Sequence, residues 1–494
     1  MPPDSPAVDR APLTLALDAG TSSVRALAFD SLGRAIDETE EQQPYTLETT
    51  PDGGATFPAE PLFDLTVRAI DGVVARLGDA AARVAAVGST SFWHSLMGID
   101  ATGTPTTPVF YWADTRSSSE ATALRTELDA DAVWQRTGCR LHSSYWPAKL
   151  RWLAREQPAL VRAVVRWGSF GEHLEGALFG EAATSISMAT GTGLFDIERG
   201  RWDGAALAAA GLEPERLFEV IDRTRGRQGL RSPWASRWPA LRSATWFPAV
   251  GDGAAGNVGS GCIDRHGIAL NVGTSAALRI VRDDAPAPPR GLWRYGVDAR
   301  WRMIGGATSE GGNVYAWCRD VLALPDDDAL EAAIAAEPAD AHGLTVLPFF
   351  AGERAPGWRG DKRAAFTGLS LDTTAVEITR AALEAVALRL AMVYDLLAPY
   401  AADDHVIVAS GGAIARSRAW TQMIADACGR AVTWSRETEA TSRGAALLAL
   451  HALGALPDLA AVRAPLGETF APDAARHARY RAALERQQRL DERV

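Results

Sequence analysis

The chain has 494 residues, of which 47% are hydrophobic and 22% are charged, with 50 Lys and Arg against 61 Asp and Glu. This length and apolar content suffice for two domains with real cores and exclude general disorder. The net charge of −11 argues against a nucleic-acid binder that neutralises phosphates, yet it is compatible with a mononucleotide site, because such a site uses local backbone donors and a metal ion.

The apolar periodicity predicts strands and helices that alternate along the chain. In order, it predicts a hairpin over 15–30, a helix over 58–77, a strand over 84–89, a second hairpin over 268–283, a helix over 381–397, a strand over 406–409, and helices over 417–427 and 442–453. This alternation indicates an α/β protein. The Pro-, Trp- and Arg-rich stretch 232–248 has no clear element, so we place a boundary there between an N-terminal domain (1–247) and a C-terminal domain (248–494).

The two hairpins repeat one motif about half a chain apart. Residues 15–30 and 268–283 each read as an apolar strand, a turn of the form Asp/Asn-x-Gly-Thr-Ser, and a second apolar strand. Backbone N–H groups and hydroxyls of such a turn can surround phosphate oxygens. A single copy is most often an ordinary hairpin, whereas two copies at this spacing indicate a duplicated domain plan with a phosphate site.

Cysteine spacing and the start of the chain indicate a compartment. Cys139, Cys262, Cys318 and Cys428 lie far apart, which predicts neither a disulfide framework nor a Cys-rich zinc site. Residues 1–12 carry no signal-peptide pattern, and no apolar run reaches the roughly 18 residues that a membrane span needs. We expect a cytoplasmic protein with no membrane or nucleic-acid partner; the sequence does not fix its oligomeric state, for which a homodimer is one option.

With these motifs in place, the chain resembles the FGGY family of carbohydrate kinases, and within it the gluconokinase-type members. Five sequence motifs carry the resemblance, and they occur in the same order as in the family: 18–25, 91–97 with 111–116, 250–255, 271–275, and 410–416. The resemblance implies a two-lobed actin-like, ribonuclease-H-like ATPase fold, with ATP and a sugar meeting in a central cleft. One departure concerns 352–368, where a Gly-Glu-Arg-x-Pro pattern is followed by a segment that matches only in part, which weakens the assignment to a subfamily.

Phosphoryl transfer to an alcohol needs positioning, charge neutralisation and an acceptor for the hydroxyl proton. Asp252 stands between two glycines, and the resemblance makes it both the catalytic base and a sugar contact. A carboxylate beside polyphosphate is unfavourable without a cation between them, so Asp18 implies Mg²⁺ held through water. The structural alternatives are an ordinary Asp-Gly turn at Asp252 and an Asx turn at Asp18.

The resemblance also implies ATP contacts from both hairpins and from a later glycine pair. The candidates are Thr21, Ser22, Arg25, Gly273, Thr274, Gly312, Gly411, Gly412 and Arg416. Two alternatives stay open: Arg25 as a surface charge and Arg416 as a solvated residue at a helix start.

A sugar site is expected in the N-terminal lobe. Trp93 and His94 follow a predicted strand in a segment that lines the sugar site of the family. Asp114 could bind hydroxyls and Arg116 could hold a substrate carboxylate, although an internal Asp114–Arg116 pair without a ligand is equally compatible.

These features together predict an ATP-dependent carbohydrate kinase with gluconate as substrate. The alternatives are a family member acting on a ketopentose such as xylulose or a polyol such as glycerol, and an actin-like ATPase without a sugar substrate. A sensor without turnover is disfavoured because Asp18 and Asp252 are both present.

Overall fold

The computed structural model describes residues 12–284 and 286–494, so the prediction about a signal peptide, which concerns residues 1–12, falls almost wholly outside the described residues. The strands are β1 Leu13–Ala19, β2 Ser23–Phe29, β3 Glu41–Pro44, β4 Glu48–Thr49, β5 Ala55–Phe57, β6 Val84–Ser91, β7 Met97–Ile99, β8 Val109–Phe110, β9 Arg166–Gly168, β10 Thr184–Ser185, β11 Phe195–Asp196, β12 Arg201–Trp202, β13 Val220–Ile221, β14 Thr245–Trp246, β15 Val250–Gly251, β16 Gly267–Val272, β17 Ala276–Arg282, β18 Trp293–Gly296, β19 Arg302–Thr308, β20 Thr345–Leu347, β21 Ala365–Thr367, β22 Val406–Ser410, β23 Val432–Ser435 and β24 Leu466–Phe470.

The helices are α1 Ala59–Leu77, α2 Ser118–Glu127, α3 Ala130–Thr137, α4 Trp146–Glu156, α5 Pro158–Ala163, α6 Phe170–Phe179, α7 Ile186–Thr190, α8 Gly204–Ala210, α9 Trp234–Arg237, α10 Asp252–Gly259, α11 Gly312–Val321, α12 Asp327–Ala336, α13 Ala375–Leu397, α14 Arg418–Cys428, α15 Ala440–Ala452 and α16 Ala474–Asp491. Each predicted strand and helix is present, and α13 begins six residues before its predicted start. Its start is set by a capping box in which Thr374 and Glu377 each bond the other's backbone N–H. Among the described residues, none of these helices has the length and apolar character needed to cross a membrane.

The chain forms two compact units. The first comprises the described parts of Met1–Gly261, Arg294–Met303 and Glu439–Arg463, and the second comprises those of Cys262–Trp293, Ile304–Thr438 and Ala464–Val494. This division differs from the predicted boundary at 247/248, since Asp252 and the rest of α10 lie in the first unit. The stretch 232–248, predicted to lack clear structure, holds only short elements, namely α9, a 3₁₀ turn at Pro239–Leu241 and β14.

The central sheet of the first unit follows the order β14-β6-β1-β2-β3, with β15 also paired to β6. Strands β6, β14 and β15 run parallel to one another and to β1, whereas β2 is antiparallel to β1. Side chains alternate between the two faces of β1. Leu15 and Leu17 belong to the core that includes α1, while Ala16 on the other face belongs to a cluster with Ala445 and Ala446 of α15.

The second unit repeats this plan. Its sheet contains the order β19-β17-β16-β22-β23-β24, with β16 antiparallel to β17 and parallel to β22. In both units the strand that opens the hairpin therefore pairs with its hairpin partner on one side and with a parallel strand on the other. The duplication predicted from two turn sequences thus extends to the strand topology.

Helices α10 and α15 of the first unit cross at close range, and glycines make this possible. A Cβ on Gly259 would lie 1.7 Å from the backbone oxygen of Ala440, and one on Gly444 would lie 1.8 Å from that of Ala255. No side chain fits at either place without moving the backbone of the other helix.

Gly444→Ala is expected to destabilise the first unit by about 1–3 kcal/mol, because the added methyl would push α15 away from α10. Thermal unfolding monitored by calorimetry measures the effect. Gly256→Ala on α10 is the matched control: its Cβ would meet only the Thr441 hydroxyl at 3.5 Å, an ordinary contact. Equal shifts in Tm for the two variants would contradict this account of the crossing.

Candidate active site

Three parallel strands of the first unit end at the same edge of the sheet, and their register places the candidate residues there. Asp18 of β1 lies opposite Thr90 of β6, and Thr90 lies opposite Val250 of β15. The chain then continues from β6 to Trp93 and from β15 to Asp252. The carboxyl ends of parallel strands are the usual place for a ligand site in an α/β sheet, and this one gathers the predicted metal, sugar and base residues.

Asp252 is the first residue of α10 and directly follows β15. The backbone N–H of Gly253 donates to Asp252 Oδ1 at 2.8 Å, and the N–H of Trp93 approaches the same oxygen at 3.4 Å. The carboxylate therefore stands at a strand–helix junction, partly exposed, with its orientation fixed by backbone donors. The alternative of a plain Asp-Gly turn does not describe this position.

Asp18 lies inside β1, so the alternative of an Asx turn does not apply to it either. The Thr90 hydroxyl donates to Asp18 Oδ1 at 2.6 Å. Burial raises the pKa of Asp18 to about 6, and the nearby Asp252 carboxylate raises it as well, against the opposing effects of Thr90 and Arg25. Two carboxylates close enough to repel each other form a donor set that suits a hard cation such as Mg²⁺.

Trp93 and His94 lie in a buried aromatic group next to Asp252. The Trp93 indole N–H donates to the Ser187 backbone oxygen at 2.9 Å, and its ring packs beside Gly191 and Gly251. His94 adopts a left-handed backbone conformation, with a φ of 68°, and its Nδ1 lies 2.5 Å from the Gly191 oxygen. A strained backbone at a non-glycine residue is common where a side chain must be aimed at a site.

Two tyrosines of this group were not among the sequence-predicted site residues. The Tyr145 and Tyr295 hydroxyls lie 2.6 Å apart, and both rings contact His94, with centroid distances of 4.8 and 5.6 Å. Tyr295 also packs against Trp93 at 4.9 Å. Tyr145 stands next to Trp146 in the sequence, and this aromatic pair is a signal that could have pointed to it. No local pattern pointed to Tyr295, because it reaches the first unit only through the returning segment Arg294–Met303.

Asp114 and Arg116 form the internal pair that the sequence left open. Arg116 donates to both carboxylate oxygens of Asp114, at 3.1 Å from Nε and 2.5 Å from Nη2, and its guanidinium lies 4.5 Å from the centroid of the Trp152 ring. Lys149 Nζ approaches the Asp114 backbone oxygen at 3.4 Å, and burial lowers the pKa of this lysine to about 7. The pair connects to the segment of Trp93 through Tyr111, which stacks on Phe92 at 4.3 Å.

The turn of the first hairpin carries Thr21 and Ser22, both at least partly exposed. Arg25 follows on β2, directly across the strands from Asp18. Its guanidinium forms ion pairs with Glu439 and, at 3.1 Å, with Glu40. Arg25 is thus a paired cation next to Asp18 rather than an isolated surface charge.

In the second unit the predicted nucleotide residues converge. Gly273 and Thr274 form the turn between β16 and β17; Gly312 N–H donates to the Gly273 oxygen at 2.7 Å. Gly411 has a φ of 107°, and a Cβ there would lie 2.4 Å from the Val272 oxygen, so only glycine fits. Gly412, one residue further on, is exposed and faces open space.

Arg416 ends a short 3₁₀ turn, Ile414–Arg416, just before α14, and its side chain is exposed. The structure therefore places it near the start of a helix, as the alternative interpretation expected, on the same loop as the glycine pair.

Three residues of kinds that can bind a metal ion, Asp340, His342 and Glu384, lie close together in the second unit. Glu384 pairs with Arg380 at 2.8 Å and accepts from Tyr480 at 3.0 Å; Arg486 donates to Asp340 at 2.5 Å. His342 Nδ1 accepts the Leu344 N–H at 3.0 Å, which places its proton on Nε2, toward Glu384. The carboxylate oxygens that a metal ion would need are thus paired with arginines, and His342 Nε2 carries a proton. We therefore interpret the group as an ion-pair network.

The duplicated hairpin topology gives this chain the two-domain plan of the actin-like, ribonuclease-H-like fold. The model of the N-terminal domain of the FGGY family of carbohydrate kinases matches residues 13–259, and that of the C-terminal domain matches 268–453. The chain belongs to this family and is a carbohydrate kinase, an enzyme that takes its phosphoryl group from ATP.

Its relatives differ in their sugars. The chain is 28% identical to a gluconokinase of Bacillus subtilis over 469 residues, covering 92% of this chain and 90% of that protein. It is 33% identical to a glycerol kinase of Leptothrix cholodnii, covering 88% and 89%. Its fold matches the crystal structure of a gluconate kinase from Lactobacillus acidophilus with a TM-score of 0.88 at 24% identity, covering 98% of each chain.

Asp18→Asn is expected to raise Tm at pH 7.5 in the absence of nucleotide and metal. The pKa of Asp18 in the folded chain, about 6, lies above the 3.8 that is usual for an aspartate. Ionisation of this carboxylate therefore costs stability, and the cost grows from pH 4 to 6 and is complete above pH 6. An amide keeps the acceptor for Thr90 without the charge.

Differential scanning fluorimetry between pH 4.5 and 8 measures this difference in Tm between variant and wild type. The difference should shrink as the pH falls below 6. Asp404→Asn, at an exposed carboxylate, is the control and should show no such gain. A lower Tm for Asp18→Asn at pH 7.5 would contradict the assigned cost of burial.

Proposed function

We propose that this chain transfers the γ-phosphoryl group of ATP to a hydroxyl of gluconate, with Asp252 as the catalytic base. The observation that carries the proposal is the meeting of Asp18, Trp93 and Asp252 at one edge of the first unit's sheet. Phosphoryl transfer to a sugar alcohol needs charge neutralisation at the phosphates, a positioned sugar and an acceptor for the hydroxyl proton. We propose Asp18 for the first, Trp93 for the second and Asp252 for the third.

Asp252 is suited to receive the hydroxyl proton. Its carboxylate is held by the N–H of Gly253 and faces the N–H of Trp93, so it does not have to be oriented when the sugar arrives. As the sugar oxygen attacks phosphorus, its proton passes to the Asp252 carboxylate. The bond from phosphorus to the bridging oxygen breaks, and ADP leaves with that oxygen.

We assign ATP contacts separately in each unit. In the first unit these are Thr21 and Ser22 of the hairpin turn and Arg25. In the second unit they are Gly273 and Thr274 for phosphate and Gly312, Gly411, Gly412 and Arg416 for the nucleoside. Support comes from the shared turn geometry, which presents backbone N–H groups and hydroxyls.

Asp18 is the proposed Mg²⁺ residue, acting through water. When bound, Mg²⁺ would neutralise charge on the phosphates. The fit rests on the position of Asp18 at the same sheet edge as Asp252, because two neighbouring carboxylates repel each other and gain from a cation close by.

For the sugar we propose contacts from Trp93, His94 and Asp252, with Asp114 and Arg116 as further candidates. Gluconate is proposed because the sequence motifs resemble those of the gluconokinase-type members, and gluconokinases align over 92% of the chain. Xylulose kinases and glycerol kinases align over similar spans, so xylulose and glycerol are the alternative substrates to test. An ATPase without a sugar substrate is disfavoured by membership in a carbohydrate kinase family.

Asp252→Asn should lower kcat by about 10²–10⁴-fold, the usual contribution of a general base. The amide oxygen still accepts the Gly253 N–H, so ATP affinity and Tm should stay close to wild type. A coupled ADP-release assay measures kcat, and calorimetric titration with an ATP analogue measures affinity. Asp404→Asn serves as the control carboxylate. Near-normal turnover of Asp252→Asn would reject it as the base.

The choice of gluconate is tested against its neutral counterpart, D-glucitol, which carries a CH₂OH group where gluconate has its carboxylate. A charge-assisted contact should give gluconate a kcat/KM about 10- to 100-fold higher. The same assay with D-xylulose and glycerol completes the comparison. A kcat/KM for either of these above that of gluconate would reassign the substrate while leaving the kinase intact.

A further inference from the structure

Glu439 immediately precedes the first residue of α15, and it belongs to the segment Glu439–Arg463, which returns to the first unit late in the chain. Helix α15 lies on the sheet face formed by Ala16 of β1 and by Leu27 and Phe29 of β2, where Ala445 and Ala446 complete the cluster. Because side chains alternate along a strand, Asp18 and Arg25 point to this same face. The start of α15 thus lies over the row of residues that carries the candidate phosphate chemistry.

Arg25 occupies a defined place in that row. It pairs across the strands with Asp18 on one side and with Gln42 on the other. Its guanidinium forms an ion pair with Glu439, whose side chain is 18% exposed, and another with Glu40, which is 43% exposed. Glu439 is therefore the more shielded partner, and an ion pair in such surroundings constrains geometry more than an exposed one.

The backbone around Glu439 is itself fixed. The Glu439 carbonyl accepts the Arg443 N–H at 2.8 Å, and the next residue, Ala440, is the one whose oxygen packs against Gly259 of α10. Arg443 in turn donates from Nε to the Gly33 oxygen at 3.0 Å. The carboxylate of Glu439 is thus presented by a rigid helix start, anchored to the helix whose first residue is Asp252.

The charges around Glu439 favour a close pairing of its carboxylate with the Arg25 guanidinium. Burial raises the pKa of Glu439 to about 6, Arg25 lowers it, and Glu40 and Asp18 raise it. Among these groups Arg25 is the single cation facing three carboxylates. A carboxylate in this position is stable only while the guanidinium stays against it.

We propose that Glu439 is a positioning residue for phosphoryl transfer, which holds the Arg25 guanidinium beside Asp18 in the orientation that meets the transferred phosphoryl group. The inference rests on the proposed role of Arg25 toward ATP. Without the Glu439 carboxylate, the ion pair left to Arg25 among the described residues is the one with Glu40, which would draw the guanidinium toward the more exposed side of the site. Glu439 acts through Arg25 and makes no contact with the substrates itself.

The test is a double-mutant cycle in which kcat is measured for Glu439→Gln, Arg25→Ala and the double variant. Glu439→Gln keeps the side-chain size and should lower kcat about tenfold or more, with the KM of the sugar within about twofold of wild type. In the Arg25→Ala background the same substitution should change kcat by less than about twofold, because its effect passes through the guanidinium.

Two further variants separate positioning from folding. Glu439→Asp keeps the charge but shortens its reach, and it should recover part of the lost kcat. Glu127→Gln is the matched control, because Glu127 on α2 is another carboxylate that pairs with an arginine, Arg151 on α4. Its kcat should equal that of wild type. Tm is recorded for every variant.

Three outcomes would overturn the inference. The first is an unchanged kcat in Glu439→Gln. The second is an equal loss of kcat with and without Arg25, which would indicate a structural effect on the helix start. The third is an unchanged kcat in Arg25→Ala, which removes the role of Arg25 while leaving the proposed base to be judged by Asp252→Asn alone.

Discussion

The pairing register of the strands in the first unit fixes the positions of the proposed active-site residues. Strands β1, β6 and β15 run in the same direction, and their pairing sets Asp18 beside Thr90 and Thr90 beside Val250. Backbone hydrogen bonds fix that register, and a slip of one residue would turn every side chain to the opposite face. The 2.6 Å bond between Thr90 and Asp18 and the approach of Trp93 to Asp252 both follow from it.

The cost of this arrangement is electrostatic. Two carboxylates, Asp18 and Asp252, lie within mutual influence in a partly desolvated place, and the pKa of Asp18 rises as a result. A third, Glu439, shows the same direction of shift from burial. A stable fold tolerates these groups because Thr90 and Arg25 offset part of the cost. The remaining electrostatic cost is one that the Mg²⁺ ion proposed for Asp18 would relieve.

The crossing of α10 and α15 requires small residues. Helices α10 and α15 approach each other through Gly259 and Gly444, which brings Asp252 and Glu439 into one rigid frame. Larger residues would separate the two helix starts and with them Asp252 and Glu439. Packing at this helix crossing therefore fixes the positions of two residues for which we propose roles in the reaction.

Much of the fold and of the candidate site could be predicted from the sequence. The alternating strands and helices, both hairpins and the Gly411–Gly412 loop followed from local patterns, because periodicity and turn chemistry are local properties. The sequence placed Asp18 in the turn of the first hairpin, whereas the structure places it inside β1. The roles of these residues toward ATP and sugar stay predictions.

Contacts between distant segments were decided by tertiary structure alone. The sequence left Arg116 open between a ligand and Asp114, and only the folded chain pairs the two. Tyr295 and Glu439 reach the first unit through segments that return to it after the second hairpin, so no spacing or motif marks them. Local propensity carries no information on which remote segment covers a sheet face; that choice depends on how whole helices and strands pack once they have formed.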